Sequence, residues 1–409
     1  MYKEIKKCRI GDSSNLITVL SLGDQYLTGV FPKDKNKKPT KGPLELVWCP
    51  DTGLLQMKHS FSLDEMYGDN YGYRSGLNSS MVAHLQQKIN TLENLVILSE
   101  DDLVIDIGSN DATSLKAYSG KHKKVGIDPT GLKFQQYYND EITLIPDFFN
   151  AEKYKNVFGS KKAKIITSIA MFYDLEEPLK FVKDIENCLA DDGIWHFEQS
   201  YMPSMLRTNS YDTICHEHLE FYSLRVVKNM VESCGLRIID VQMNAINGGS
   251  FAVTVCKNNS NFKSNTPVIN WLLKQEDEMG LNTVKPYLEF KERVFKHRTS
   301  LKELINALVA DGKKVFGYGA STKGNVLLQF CGLTTKEIPY IAEVNEEKFG
   351  AYTPGSLIPI ISEEEAKSMK PDYFLVLPWH FKENILKREK EYIANGGKFI
   401  FPLPEIEIV

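Results

Sequence analysis

From Ser80 to roughly Lys257 the chain alternates short apolar runs with stretches of helical periodicity. The runs are Leu103-Val104-Ile105-Asp106-Ile107, Lys124-Val125-Gly126-Ile127-Asp128, Ala163-Lys164-Ile165-Ile166-Thr167 and Gly193-Ile194-Trp195-His196-Phe197-Glu198. Strands that alternate with helices predict a parallel sheet covered on both faces. Before this region the pattern is different. Val19-Leu20-Ser21-Leu22-Gly23 and Leu44-Glu45-Leu46-Val47-Trp48-Cys49 are strand-like, joined by a Lys/Pro-rich connection and followed by a Tyr/Gly-rich turn from Met66 to Gly76. Residues 258 to about 310 are helical and highly charged. The βα pattern then resumes at Lys313–Ala320, Tyr340–Glu343 and Tyr373–Leu377. The expected division is a small β-rich unit over 1–79, a central unit over 80–257, and a helical connection with a second α/β unit over 258–409.

Composition narrows the picture. The 409 residues are enough for two or three domains, and 42% hydrophobic with 25% charged residues is ordinary for a soluble globular protein. The formal net charge is −4, and no segment concentrates Lys and Arg as a nucleic-acid partner requires. Lys33-Asp34-Lys35-Asn36-Lys37-Lys38 reads as a solvated loop. No apolar run reaches membrane-spanning length, and the start of the chain lacks the apolar stretch of a signal peptide. The 7 cysteines are scattered and odd in number, so a reducing cytoplasm and no disulfide framework are expected.

Two clusters carry chemistry. Asp106-Ile107-Gly108-Ser109-Asn110-Asp111 leaves a buried strand and enters a helix, which in a doubly wound sheet borders the ligand crevice. Gly108 permits close backbone approach, and Ser109, Asn110 and the carboxylates supply polar groups. The further glycines of a pyrophosphate cradle are missing, and a carboxylate beside a phosphate is repulsive. Nothing repels a sulfonium. Asp128 ends the next strand, where a carboxylate accepts ribose hydroxyls or, alternatively, caps a helix. Asp147 and Phe148 offer a polar and an aromatic contact to a base.

The second cluster runs from Tyr211 to Tyr222 and contains His216-Glu217-His218. The spacing lacks the i,i+4 histidine pair of a zinc helix, so no metal is expected there. A solvated polar turn is one reading and acid/base chemistry is the favoured one. Histidine takes a proton α to a carbonyl near neutrality, Glu217 is placed to orient the imidazole, and a Tyr or His donor is needed for the enolate oxygen.

These clusters resemble those of the three-domain sugar C-methyltransferases of deoxysugar pathways. The shared marks are Tyr71-Gly72-Tyr73-Arg74-Ser75, the Asp106–Asp111 loop, Tyr211–His218, Asn247-Gly248-Gly249-Ser250, Gly317-Tyr318-Gly319-Ala320-Ser321-Thr322-Lys323-Gly324 and Pro354–Ile360. The resemblance implies a class I methyltransferase core, Rossmann-like in its mostly parallel sheet, between a zinc-type N-terminal unit and a C-terminal Rossmann-like unit. It implies S-adenosyl-L-methionine as cofactor and a nucleotide-linked 4-keto-deoxysugar as substrate. His218 becomes the general base beside Glu217, with Tyr173 or Tyr71 giving a phenol to the enolate. Tyr73, His216, Tyr222 and Asn247 become sugar-side contacts, and Gly317, Gly319, Ser321 and Lys323 phosphate-side contacts. The expected assembly is a monomer or homodimer.

Three departures from the family pattern stand out. Cys8-Arg9-Ile10-Gly11 and Cys49-Pro50-Asp51-Thr52 keep only the first cysteine of each zinc pair, so no zinc is expected unless His59 or Asp51 completes the set. Cys215 replaces a tyrosine common in the family, and Tyr173 replaces a histidine. Sugar O-methylation, a scaffold that has lost its chemistry and a nicotinamide oxidoreductase remain as alternatives.

Overall fold

The computed structural model describes residues 2–62, 65–66 and 74–409. Tyr71 and Tyr73 lie outside them. The central unit is a seven-stranded sheet in the order Leu236–Asn244, Ser250–Lys257, Leu189–Ser200, Ala163–Ile169, Leu103–Ile107, Lys123–Ile127, Ile142–Ile145. Ser250–Lys257 runs antiparallel to both neighbours, and the remaining pairs are parallel. Leu103–Ile107 is buried at every position, which accounts for its continuous apolar pattern. The order reverses at this strand, so its carboxyl end opens onto the crevice between crossover connections that leave in opposite directions.

The C-terminal sheet repeats the logic, in the order Ile360–Ser362, Ile341–Glu343, Val315–Tyr318, Tyr373–Val376, Lys398–Phe401, Glu407–Ile408. Only its last strand is antiparallel. The N-terminal sheet is antiparallel and is built on Ile17–Tyr26, Lys41–Trp48 and Leu55–Met57.

Packing departs from the expected division in two places. Glu220–Phe221 pairs with Gln56 and Leu55, so the N-terminal sheet takes its fourth strand from the central segment. Thr266–Glu278 packs on Leu236–Asn244 and on Leu224–Ser233, so this helix sits with the central sheet. Glu276 is the reason. It accepts the Tyr201 hydroxyl at 2.7 Å and the backbone amides of Leu224 and Arg225 at 2.5 and 2.9 Å. Those amides open a helix, where donors have no partner within the helix.

The 26-residue helix Lys285–Ala310 then bridges the units. Tyr287 packs on Trp48 at 5.3 Å between ring centroids. His297 lies between the Pro402 carbonyl, to which Nε2 donates at 2.5 Å, and the Tyr211 hydroxyl, 3.0 Å from Nδ1. Among the described residues no helix is long and apolar enough to cross a membrane.

Glu276→Ala leaves two buried donors, and the half-buried Arg225 amide, without an acceptor. The expected loss is about 3 kcal/mol, read as a lowered urea midpoint for the central unit. An unchanged midpoint contradicts the role given to Glu276.

Candidate active site

All three units line one cavity of about 1200 Å³. Pockets for a single ligand span about 300–1000 Å³, so this one has room for two ligands of modest size. Gly29 and Phe31 enter from the N-terminal unit, the loops after Ile107, Ile127 and Ile169 from the central unit, and Tyr318–Lys323 with Pro378, His380 and Phe381 from the C-terminal unit.

At the central end, Gly108 has φ +73°, and a β-carbon there would lie 3.1 Å from the Met171 side chain. The backbone conformation thus favours glycine, and the space beside it is tight. Its amide donates to the Ile127 carbonyl at 2.8 Å, holding the turn to the next strand. Asp128 is fixed on both oxygens: Oδ2 accepts the Asn110 amide at 2.7 Å, and Oδ1 accepts the Thr130 amide and hydroxyl, both at 2.6 Å. A carboxylate has about four acceptor directions, so it retains capacity for hydroxyl donors. Asp106 accepts the Thr167 hydroxyl at 2.6 Å; burial, with the charge of Asp128 adding to it, pushes its carboxyl up to about 7.

Ser109 lines the cavity, but its hydroxyl is a brace. The Tyr138 hydroxyl donates to the Asn110 carbonyl at 3.0 Å, so Ser109 must donate to Tyr138, 2.7 Å away. Phe148 lines the cavity, whereas Asp147 does not. The Asp147 carboxylate pairs with Lys153 at 2.5 Å and accepts the Phe148 amide at 2.7 Å.

The histidine cluster divides. His218 Nδ1 lies 2.7 Å from the Thr213 carbonyl, which can only accept. Nδ1 therefore carries the proton, and Nε2 of the neutral ring keeps its lone pair. Burial, then the positive charge of Lys323, hold this imidazole down at about 3. Its ring packs on Tyr173 at 4.4 Å. The expectation that Glu217 orients the imidazole is corrected, because the Thr213 carbonyl does so. Glu217 is turned toward Gly29, where a β-carbon would meet Oε1 at 2.2 Å, and the Cys215 thiol lies 3.9 Å from its Oε2. Burial raises Glu217 to about 7.

His216 and Tyr222 do not reach the cavity. His216 is buried edge-on against Phe61, 4.6 Å away, and Tyr222 stacks on Phe172 at 5.2 Å. Both are core residues of the seam between the N-terminal and central units, so their expected sugar contacts are corrected.

The glycine turn of the C-terminal unit is also occupied. The Ala320 amide donates to Glu343 Oε2 at 2.7 Å, while Glu343 Oε1 accepts the amides of Val344 and Asn345 at 2.8 and 3.0 Å. Pro378 packs onto Gly319, where a β-carbon would lie 2.7 Å from it, and a β-carbon on Gly317 would lie 2.2 Å from Ile341. Ser321 caps its helix by accepting the Gly324 amide at 3.0 Å. A carboxylate already sits where a phosphate was expected, and it repels one. Lys323 turns away from that loop and donates to the Asn247 carbonyl at 2.9 Å.

Several cavity residues escaped the sequence reading. Glu198 is held by His84 at 2.6 Å, Lys88 at 2.8 Å and the Asn244 amide at 2.7 Å. Burial alone would raise it, and the two basic groups hold it at about 2. His380 follows Pro378 and Trp379 just past the strand Tyr373–Val376. Its place beyond the carboxyl end of a parallel strand was the available signal.

Family models match three successive segments: a zinc binding domain over residues 8–67, a methyltransferase domain over 81–241 and a C-methyltransferase C-terminal domain over 245–404. The C-methyltransferase NovU of Streptomyces niveus is 32% identical over 414 residues, covering 100% of this chain and 98% of NovU. The chain belongs to the C-methyltransferase family. Its cofactor is S-adenosyl-L-methionine. Among solved structures, the methyltransferase bound to the Trm112 activator of Haloferax volcanii is 13% identical with a TM-score of 0.37, covering 45% of this chain and 95% of that one. The mitomycin 7-O-methyltransferase MmcR is 13% identical with a TM-score of 0.34, covering 44% and 55%. Likeness at that level carries no part of the assignment.

The zinc site typical of the first segment does not fit this C-methyltransferase. The four ligand positions still converge: Cys8 Sγ lies 3.1 Å from Thr52 Oγ1, and a β-carbon on Gly11 would lie 3.3 Å from Thr52 Cγ2. Cys8 and Cys49 are the two thiols among them, and burial pushes Cys8 up to about 11. Asp51 is engaged by Ser13 at 2.5 Å, and His59 packs against Tyr2 at 5.5 Å. Among the described residues no group of three or more metal-ligating side chains assembles. A closed site needs four ligands. The purified enzyme is expected to contain far less than one zinc per chain by metal analysis. Gly11→Cys combined with Thr52→Cys is expected to bind one, with thiolate-to-cobalt absorption when Co(II) is substituted. Stoichiometric zinc in the unaltered protein contradicts this account.

Proposed function

We propose that this enzyme methylates the carbon next to the ketone of a nucleotide-linked 4-keto-deoxysugar. The observation that carries the reading is His218, a buried neutral imidazole with Nδ1 fixed by the Thr213 carbonyl, in the wall of the cavity that also holds the Asp106–Asp111 loop. S-adenosylmethionine supplies an electrophilic methyl on a sulfonium. To accept it, a sugar carbon must become a carbanion equivalent, which requires a base within reach of its proton.

In this reading His218 Nε2 takes the α-proton. Asp128 receives the cofactor ribose hydroxyls, Gly108 and Asn110 let the loop approach the cofactor, and Phe148 borders the base. Asp106 and Glu217, both raised to about 7, are partly protonated near neutrality, so neither opposes a neighbouring acceptor with a full charge. Tyr173 backs His218. The cavity volume accommodates a nucleotide-linked sugar beside the cofactor. A reducing cytoplasm suits the seven unpaired cysteines.

His218→Ala is expected to lose at least about 100-fold in turnover, with cofactor affinity by calorimetry unchanged. Normal turnover with a panel of uridine-, thymidine- and guanosine-linked 4-keto-deoxysugars would remove His218 as the base. Asp128→Asn is expected to weaken S-adenosylmethionine binding by about 10-fold, the cost of weakening one charge-assisted hydrogen bond. Unchanged calorimetric affinity would move the ribose site elsewhere.

A further inference from the structure

Lys323 is the second residue of the helix Thr322–Cys331, and its side chain lines the cavity. Of its three N–H donors, one goes to the Asn247 carbonyl at 2.9 Å. No carboxylate among the described residues comes within ion-pair distance of it. Asp212 acts on it from farther away, and Asp212 Oδ2 already accepts the Trp379 indole N–H at 2.8 Å. Burial holds the Lys323 ammonium below the usual lysine range, with the charge of Asp212 opposing it. A buried cation of this kind is costly until an anion arrives.

The surroundings show where that anion would form. Asp212 adjoins Thr213, whose carbonyl fixes His218, and Trp379 adjoins His380, whose Nδ1 is buried without a hydrogen-bond partner. The charge of Lys323 acts on both imidazoles, adding to burial in depressing each to about 3. Lys323, His218 and His380 all line the cavity, and the bond from Trp379 to Asp212 ties the segments that carry the two histidines together. The expected phosphate turn is filled by Glu343, so it does not explain the lysine. Cys215, where the family commonly has a tyrosine, is fully buried and offers only a weak S–H donor.

We propose that Lys323 is a catalytic residue that donates a hydrogen bond to the enolate oxygen as His218 removes the α-proton, with His380 bordering the same oxygen. This rests on the C-methylation reading above. The α-proton moves to His218 Nε2, the C–H electron pair becomes the new C=C bond, and the carbonyl π pair moves onto oxygen. Lys323 keeps its proton throughout. When the C=O bond re-forms, the C=C pair makes the bond to the methyl carbon, the methyl–sulfur pair stays with sulfur, and His218 releases its proton to solvent. The same cation has two effects. It keeps His218 unprotonated before substrate binds, and the enolate then compensates both Lys323 and the new imidazolium.

The test is deuterium uptake at the α-carbon in D₂O, followed by mass spectrometry. The probe is a thymidine- or uridine-linked 4-keto-deoxysugar, with S-adenosylhomocysteine in place of the methyl donor. The unaltered enzyme is expected to exchange and His218→Ala to stop. Lys323→Met and the near-isosteric Lys323→Gln are expected to slow exchange about 100- to 1000-fold, the usual effect of removing an oxyanion donor. Lys323→Arg, which keeps the charge, is expected to recover part of the rate. Sugar affinity should change far less than the rate, and the acid limb of the exchange profile should move to higher pH once the neighbouring cation is gone. Calorimetric cofactor binding reports that each variant is folded. Undiminished exchange with lost sugar affinity in both neutral variants overturns the proposal and makes Lys323 a phosphate anchor. If the unaltered enzyme methylates a sugar without exchanging its α-proton, the C-methylation reading itself fails, whatever Lys323 does.

Discussion

Buried backbone donors and acceptors must be paired, and in this protein the helix Thr322–Cys331 meets that requirement across two unit boundaries. The Gln329 side chain accepts the Tyr26 amide at 2.8 Å and donates to the Tyr26 carbonyl at 3.2 Å, as a neighbouring strand would. One turn earlier, Asn325 donates to the Thr28 carbonyl at 2.7 Å. At the start of the same helix Lys323 reaches the Asn247 carbonyl of the central unit. One rigid element thus joins the N-terminal sheet, the central sheet and the C-terminal unit. Gly29 is thereby brought against Glu217, and the cavity closes from three sides.

Burial sets the electrostatics inside. It pushes the carboxyls Asp106, Asp212 and Glu217 up and the imidazoles His218 and His380 down, so each drifts toward its neutral form. Glu198 is the exception because Lys88 and His84 face it directly. Groups buried this way respond strongly to each charge that appears beside them, since charges away from bulk water are weakly screened. An enolisation between His218 and Lys323 uses that property.

The strand-end loops were legible in the chain because continuous apolar runs specify buried parallel strands, and ligands gather beyond their carboxyl ends. Gly108, Asn110, Asp128 and Phe148 line the cavity on that account, whereas Glu217 and His218 were legible from the chemistry of their side chains. Asp147, His216 and Tyr222 were misplaced for a different reason. Adjacent side chains on an irregular segment face different ways, and neither composition nor spacing says which way each turns. His216 fills a seam against Phe61, and Tyr222 stacks on Phe172. Glu217 stood beside His218 in the chain yet faces Gly29, so the orienting partner is a backbone carbonyl, to which sequence patterns are blind. The helix Thr266–Glu278 misled similarly: its charged pattern concealed Glu276, whose hydrogen-bond donors belong to the central unit.

The sequence by itself determined the layered α/β architecture, the tight glycine turn at the head of the central sheet and the loss of half the zinc ligands. These follow from local properties: periodicity, the steric freedom of glycine and the identity of ligand atoms. Only the tertiary structure decided that Glu343 fills the second glycine turn, that Thr213 sets the His218 tautomer, and that Lys323 and His380 face the histidine from another unit. Each of these joins residues far apart in the chain or depends on the direction of a side chain. Packing fixes those directions, because every buried polar group must find its partner in three dimensions.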